Sequence, residues 1–186
     1  MRPIVISLHQ SLNHDVYTVS MKLLASMNPD NVTKEAISQM SRRHGARGVI
    51  FDRQGRICLM HATKAGYHKL PGGGIEAGET PEAAFIRECL EETGFAIAVT
   101  GELGRIEEYR ADINRYQTSY CLTGNALEKS AEPEMEVGEI EVGFQAEWYA
   151  PKEALRIMEN QPAFSKRIIV QRDTLIVKEA LKQISG

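Results

Sequence analysis

The sequence lacks a hydrophobic run long enough to cross a bilayer. Nowhere do its 186 residues contain the roughly 18–20 consecutive apolar residues that a membrane-spanning helix needs. The first ten residues carry one arginine and a short apolar patch, and polar residues follow soon after. The apolar centre of a signal peptide is therefore missing as well. We expect no membrane partner and no export signal.

Cysteine is scarce, and its spacing does not suit cross-linking. Cys58, Cys89 and Cys121 are odd in number, lie far apart and form no Cys-x-x-Cys pair. This pattern is typical of reduced thiols in an intracellular protein. The sequence therefore predicts a cytoplasmic location.

An excess of positive charge is also absent. There are 22 Lys and Arg residues against 25 Asp and Glu residues, which gives a formal net charge of −3 at pH 7. Because proteins that bind nucleic-acid polymers are usually basic, this balance argues against a generic polyanion binder. It remains compatible with a small anionic substrate held through a local metal ion.

The rest of the composition is that of an ordinary globular protein, with 42% hydrophobic and 25% charged residues. The length suggests one domain with a small appendage. Residues 1–43 contain no glycine, and we interpret them as an N-terminal extension that includes a short helix capped by Thr33. A packing or dimerisation role is expected for this extension, so a homodimer stays open. Residues 44–186 form the predicted main domain.

Strand and helix signals alternate through that main domain. Alternating or β-rich apolar segments bounded by turn residues predict strands, and capping residues predict helices. The predicted strands are 48–51, 56–60, 67–71, 95–99, 103–110, 116–123 and 144–148. The predicted helices are 81–93, 151–158 and one within 164–184, and residues 125–141 are an acidic connection.

Three glutamates stand out on the helix predicted between Thr80 and Gly94. Glu88, Glu91 and Glu92 occupy positions i, i+3 and i+4, which share one face of a helix. Like charges at these spacings repel by a few tenths of a kcal/mol per pair. A divalent cation would turn that repulsion into attraction, and oxygen ligands select Mg²⁺, Mn²⁺ or Ca²⁺. A solvated acidic face is the alternative.

The segment before this helix favours the metal interpretation. Gly72, Gly73 and Gly74 precede the helix by a short, fixed distance. Glycines allow backbone amides and carbonyls to approach a metal or a phosphate closely. A glycine-rich approach joined to a carboxylate face therefore predicts a site for metal ions and phosphate.

Together, the two features resemble a known signature. The segment Gly73-x5-Glu79-x7-Arg87-Glu88-Cys89-Leu90-Glu91-Glu92-Thr93-Gly94-Phe95 is similar to that of the Nudix hydrolase family, Gly-x5-Glu-x7-Arg-Glu-U-x-Glu-Glu-x-Gly-U, where U is bulky and apolar. Cys89, at a position that is usually aliphatic, is the one soft departure. The resemblance implies an α/β fold, the family's alpha/beta/alpha sandwich with a mixed sheet, from about residue 44 onward.

The resemblance also implies residue roles. Metal ligands would be Glu88, Glu91, Glu92 and the backbone carbonyl of Gly73, with Mg²⁺ or Mn²⁺ as the cofactor. Arg87 would orient the carboxylates with Glu79 as its partner. The base that activates water would be Glu88, Glu92 or a glutamate of the acidic connection, where Glu141 is ranked above Glu139.

The reaction implied is the hydrolysis of a pyrophosphate bond in a nucleoside diphosphate linked to another group, with a nucleoside triphosphate as the leading substrate. A nucleotide sugar, a dinucleoside polyphosphate or a non-catalytic sensing role are the alternatives. Gly72, Gly74, Tyr67 and Lys69 are the predicted substrate-binding residues. Aromatic side chains that could stack on a base are Tyr67, Tyr109, Tyr116, Tyr120, Phe144 and Trp148.

Overall fold

The computed structural model describes residues 21–162 and 167–185. Its strands are β1 (Leu23–Met27), β2 (Ser41–Phe51), β3 (Ile57–Ala62), β4 (Tyr67–Lys69), β5 (Gly72–Gly74), β6 (Phe95–Arg110), β7 (Arg115–Lys129) and β8 (Phe144–Tyr149). The helices are α1 (Lys34–Gln39), α2 (Pro81–Thr93), α3 (Val137–Val142), α4 (Pro151–Glu159) and α5 (Arg167–Ser185). A single 3₁₀ turn, Ala111–Ile113, joins β6 to β7.

The strands form one mixed sheet in the order β1-β6-β7-β2-β3-β4. β1 runs parallel to β6 and β2 runs parallel to β7, whereas β6 pairs with β7 antiparallel. β5 pairs with β2, and β8 pairs with β3. The predicted hairpin and the predicted last strand before Pro151 are both present. The strands predicted at 95–99 and 103–110 form one continuous strand, β6, which pairs with β7.

Two apolar layers cover the two faces of this sheet. On one face α2 contributes Ala84, Phe85 and Cys89 to a cluster that includes Ile50 and Tyr120 of the sheet. On the other face α4 and α5 contribute Met158 and Ile176 to a second cluster. Its sheet members include Val49, Leu59, Ile106 and Cys121. The arrangement is the predicted alpha/beta/alpha sandwich with a mixed sheet.

Helix α2 begins and ends where its capping residues predict. The Thr80 side chain accepts a hydrogen bond from the backbone N–H of Ala83, Pro81 occupies the first turn, and Gly94 ends the helix in the left-handed conformation with φ 75°. These caps fix the register of the helix and so decide which side chains face the glycine strand β5.

The N-terminal part of the described chain is joined to the same sheet. β1 pairs with β6, and the boundary predicted between residues 43 and 44 falls inside β2. Thr33 caps α1 by accepting a hydrogen bond from Ala36, as predicted. The role of the extension stays a prediction, since residues 1–20 lie outside the described residues. Within the described ranges, none of the helices has the length and apolar character needed to span a bilayer.

Candidate active site

A polar cavity of about 220 Å³ lies where α2 meets the glycine strand β5. The predicted residues that line it are Lys69, Gly72, Gly73, Gly74, Glu88, Glu91, Glu92 and Glu139. The fold therefore brings together the three spaced glutamates, the glycines and the lysine that the sequence singles out. They meet because β5 pairs with β2 while the caps of α2 hold its acidic face toward β5.

Arg87 is the hub of this arrangement. Its guanidinium donates two hydrogen bonds to Glu79, at 2.8 Å from Nε and 3.0 Å from Nη2. Nη1 reaches Glu88 at 3.0 Å and Glu91 at 2.9 Å, and Nη2 also donates to the carbonyl of Gly74 at 2.9 Å. The contact with Glu79 raises the pKa of Arg87 and lowers that of Glu79, so both stay charged. One side chain thus holds the loop and the helix in register.

Glu92 is the most enclosed of the three glutamates, at 1% exposure. Lys69 Nζ lies 2.5 Å from its Oε1, and the backbone N–H of Gly72 donates to its Oε2 at 2.7 Å. Burial raises the pKa of Glu92 to about 7, although Lys69 acts in the opposite direction. The carboxylate is therefore held in place while its negative charge is poorly solvated.

Glu88 depends on the absence of a side chain at Gly73. A Cβ at Gly73 would lie 2.3–2.4 Å from the carboxylate atoms of Glu88, far inside contact distance. Burial raises the pKa of Glu88 despite the nearby Arg87. A cation bound between these carboxylates would offset the cost of burying them, and an all-oxygen donor set suits Mg²⁺ or Mn²⁺.

Four of the predicted site residues, Arg87, Glu79, Tyr67 and Glu141, are not part of the cavity lining. Tyr67 is buried and meets the ring of Phe144 edge-on, with centroids 6.0 Å apart. Glu141 is exposed on α3, whereas Glu139 lines the cavity and lies 3.5 Å from Lys69 Nζ. Residues two apart point to nearly opposite sides of a helix, so only one of the two glutamates can face the site.

The other aromatic candidates do not line the cavity either. Its lining contains no aromatic side chain among the described residues. Phe144 lies beneath Lys69, whose Nζ is 4.7 Å from the ring centroid. Phe95 and Trp148 contact each other, as do Tyr109 and Tyr116. Stacking of a base inside this cavity is therefore not supported by the described side chains.

The sequence did not indicate most residues of the cavity wall opposite the α2 glutamates. Residues that line the cavity without having been predicted are Arg43, Arg47, Arg110, Arg115, Gln117, Glu134, Glu136, Ile169 and Arg172. Only cross-strand register brings the arginines of β2, β6 and β7 together, and no local spacing in the sequence indicates that register.

One of these lining residues, Arg172, belongs to a buried ion network. Arg172 of α5 donates to Asp173 at 2.7 Å and to Glu108 of β6 at 3.3 Å, and all three are at most 3% exposed. Asp173 also accepts the backbone N–H of Leu70 at 2.9 Å, and Ser119 donates to Glu108 at 2.7 Å. Each buried charge therefore has a charged partner, and the network anchors α5 next to the glycine strand.

A second group of potential metal ligands lies apart from the cavity lining. His61, His68 and Glu147 of β3, β4 and β8 offer ligand atoms within 4.8 Å of one another. The Glu147 carboxylate is already engaged by the Tyr149 hydroxyl and by His61 Nδ1, the latter at 3.1 Å. The histidine nitrogens distinguish this group of ligands from the all-oxygen face of α2.

Comparison with known proteins bears on the family of this chain. The NUDIX domain profile matches residues 41–170. A MutT-like protein of Streptomyces ambofaciens is 34% identical over 77 residues, or 41% of this chain and 47% of the relative. A putative 8-oxo-dGTP diphosphatase of Bacillus subtilis is 35% identical over 60 residues, or 32% and 40%. Human diphosphoinositol polyphosphate phosphohydrolase 3-alpha is 31% identical over 93 residues, or 48% and 51%.

The chain thus spans about half or less of the length of these curated relatives. Among solved structures, a NUDIX hydrolase from Nitrosomonas europaea aligns with a TM-score of 0.57 and 18% identity over 77% of this chain and 90% of the other. A UDP-X diphosphatase aligns with a TM-score of 0.55 and 18% identity, over 82% and 73%. These structures support the fold, and the profile match covers well over half of the chain. The chain therefore belongs to the Nudix family.

Proposed function

We propose that the protein is a metal-dependent pyrophosphohydrolase that cleaves the diphosphate bond of a nucleoside diphosphate linked to another group, with a nucleoside triphosphate as the leading substrate. The observation that carries the proposal is a pair of carboxylates, the buried Glu92 and the partly buried Glu88, that face one cavity beside a glycine strand. Burial opposes their charged forms, and a cation restores the balance.

Glu88, Glu91, Glu92 and the carbonyl of Gly73 would hold Mg²⁺ or Mn²⁺. The bound metal would lower the pKa of a water molecule and neutralise phosphate oxygens. The chain's own groups supply the alignment: Arg87 ties Glu88 and Glu91 to the loop, and Lys69 with the Gly72 amide orients Glu92. Glu79 contributes by fixing Arg87.

A carboxylate must accept the proton of the attacking water. The oxygen of the water forms a bond to phosphorus, the phosphorus–oxygen bond of the anhydride breaks, and the proton passes to the base. Glu139 lines the cavity and Glu141 does not, so Glu139 is the better candidate on the acidic connection. Glu88 and Glu92 remain the alternatives on α2.

The substrate is proposed from size and polarity. The cavity is polar and of a size that suits a phosphate chain better than a whole dinucleotide. One relative is named for a nucleoside triphosphate and another for a diphosphoinositol polyphosphate, and both substrates contain the bond in question. The three free, buried cysteines support the expectation of a reducing, cytoplasmic location.

The test is turnover of a nucleotide panel by the purified protein with Mg²⁺, with Mn²⁺ and with a chelator. The panel comprises nucleoside triphosphates, nucleotide sugars and dinucleoside polyphosphates, in water enriched in ¹⁸O. We expect metal-dependent release of a phosphate-containing product that carries the label, as measured by mass spectrometry. No turnover of any diphosphate with either metal would overturn the proposal and favour a sensing role.

A further inference from the structure

The cations that line the cavity fall into two groups. Lys69, Arg172 and the neighbouring Arg87 each contact a carboxylate within 3.0 Å. The second group consists of the arginines of the three adjacent strands β2, β7 and β6, and we call it the arginine wall: Arg43, Arg47, Arg110 and Arg115. Among the residues that the structure describes, no carboxylate lies within ion-pair distance of three of these four arginines; Arg110 is the exception.

The sheet register puts these side chains on one face. Arg43 and Arg47 are four apart on β2, so their side chains share a side of the strand. Arg43 is opposite Gln117 of β7, and Arg110 is directly opposite Arg115. Like charges directly opposite each other destabilise a strand pair. Burial, Arg43 and Arg110 together lower the pKa of Arg115, which is the electrostatic signature of this crowding.

Arg47 is the most informative member. It is only 7% exposed, and its Nε atom is buried without a hydrogen-bond partner. Burial lowers the pKa of Arg47 although the charges of Asp173 and Glu108 act in the opposite direction, and a buried guanidinium N–H without a hydrogen bond costs free energy. Because Arg47 lines the cavity, an anion inside the cavity can supply the missing partner.

We propose that the arginine wall is a binding site for phosphate groups beyond the scissile diphosphate, so that this enzyme selects substrates by their extra phosphate charge. The inference rests on the proposed function. The carboxylate face with its cations would take the scissile bond, and the guanidiniums would take the remaining phosphates. Arginine suits this role because its planar fork binds phosphate oxygens in pairs.

The shared chemistry is a multiply phosphorylated substrate, which has two sources. One is a linear triphosphate, as in GTP, and the other is a diphosphate with a separate phosphate monoester, as in coenzyme A. The matched compounds with less phosphate are GDP-mannose and dephospho-coenzyme A. Comparing both pairs identifies which source the wall fits, and a preference for the more phosphorylated member of either pair supports the inference.

The experiment measures kcat/KM for both pairs with the wild type, Arg47→Gln, Arg115→Gln and Arg53→Gln. Arg53 is exposed and does not line the cavity, so its variant controls for the loss of one charge. Loss of one charged hydrogen bond should lower kcat/KM for the more phosphorylated member by about 10- to 100-fold. We expect the kcat/KM of these variants for the less phosphorylated member to change by less than about threefold, which is well below the loss of one such bond. The kcat/KM of the control variant should change as little for both members.

Two further measurements separate the possible failures. Calorimetry with inorganic tripolyphosphate and pyrophosphate in Mg²⁺ tests the wall without turnover, and weaker tripolyphosphate binding in Arg47→Gln supports the inference even if no substrate is hydrolysed. A melting temperature of Arg47→Gln at or above that of the wild type excludes a structural role. Turnover with equal losses on both members of each pair, or unchanged tripolyphosphate binding, would overturn the inference and leave the proposed function standing.

Discussion

The two walls of the cavity are built in different ways. The three glutamates of α2 come from one turn and a half of a single helix, held by Arg87 and Lys69. The arginine wall comes from three strands whose members are up to 72 positions apart and is largely unpaired. A wall built from one helix can be recognised by spacing alone, and a wall built across strands cannot. The walls also differ in electrostatics, because the charges of the first are paired with Arg87 and Lys69, whereas three of the four arginines of the second form no ion pair among the described residues.

The largest expected effect comes from removing a charge from the glutamates of α2. Glu88→Gln and Glu92→Gln each keep the shape of the side chain and remove its charge. We expect kcat to fall by about a thousandfold, because a neutral amide binds a hard cation poorly and loses several kcal/mol of charge stabilisation. Steady-state kinetics with Mg²⁺ measures this. Glu82→Gln, on the same helix but outside the cavity lining, should retain wild-type turnover; equal rates in all three variants would contradict the site assignment.

The second prediction tests Arg172, the cavity-lining arginine that is paired with buried carboxylates. Arg172→Met leaves Glu108 and Asp173 buried without their shared partner. We expect the free energy of unfolding to fall by about 3–5 kcal/mol, as measured by urea denaturation. Lys182→Met removes an exposed ion pair with Glu179 and should cost less than about 1 kcal/mol. A stability loss of similar size in both variants would mean that the buried network adds nothing specific.

The third prediction concerns the acidic connection. Glu139→Gln should lower kcat by about a hundredfold if Glu139 is the base, which is the lower end for general-base catalysis. Glu141→Gln is the matched control, since the two glutamates lie two positions apart on α3 and only Glu139 lines the cavity. The pH dependence of kcat separates loss of a base from loss of folding. A larger effect of Glu141→Gln would restore the ranking expected from the sequence.

The smallest expected effect tests how the glycine strand β5 contributes to metal binding. Gly73→Ala would place a methyl group against the Glu88 carboxylate, and the end of that side chain can swing away without unfolding the protein. We expect the affinity for Mn²⁺ to fall by about tenfold, as calorimetry would detect, with little change in melting temperature. Gly138→Ala is the control because nothing lies within 4 Å of its Cβ position. Unchanged Mn²⁺ affinity in Gly73→Ala would show that Glu88 does not need its present position.

Much of the fold could be predicted because its signals are local. The caps at Thr80 and Gly94 bound α2 as expected, and the strand and helix order after residue 43 follows apolar alternation. The carboxylates of α2 could be found for the same reason. The extension of β7 to Lys129 and the short helix α3 were not expected, because residues 125–141 carry many charges and little alternation.

The rest of the site depends on tertiary contacts. Glu108, Arg172 and Asp173 meet only after α5 packs on the sheet, and nothing in the sequence around any one of them indicates the other two. Tyr67 was expected to bind substrate, but it lies two positions farther from the glycines than Lys69 and is buried against Phe144. The position of Tyr67 in its strand determines this burial, which its residue type alone does not predict.

Strand β2 links substrate preference to folding through its register. Two of its three arginines, Arg43 and Arg47, alternate with Ala46 and Ile50, which are fully buried against α2. A shift of one residue would exchange every side chain between the two faces, so that guanidiniums would enter the apolar layer and aliphatic groups would enter the cavity. Insertions or deletions in this strand cannot retune ligand choice gradually, and evolutionary change in specificity here has to proceed by substitution at fixed length.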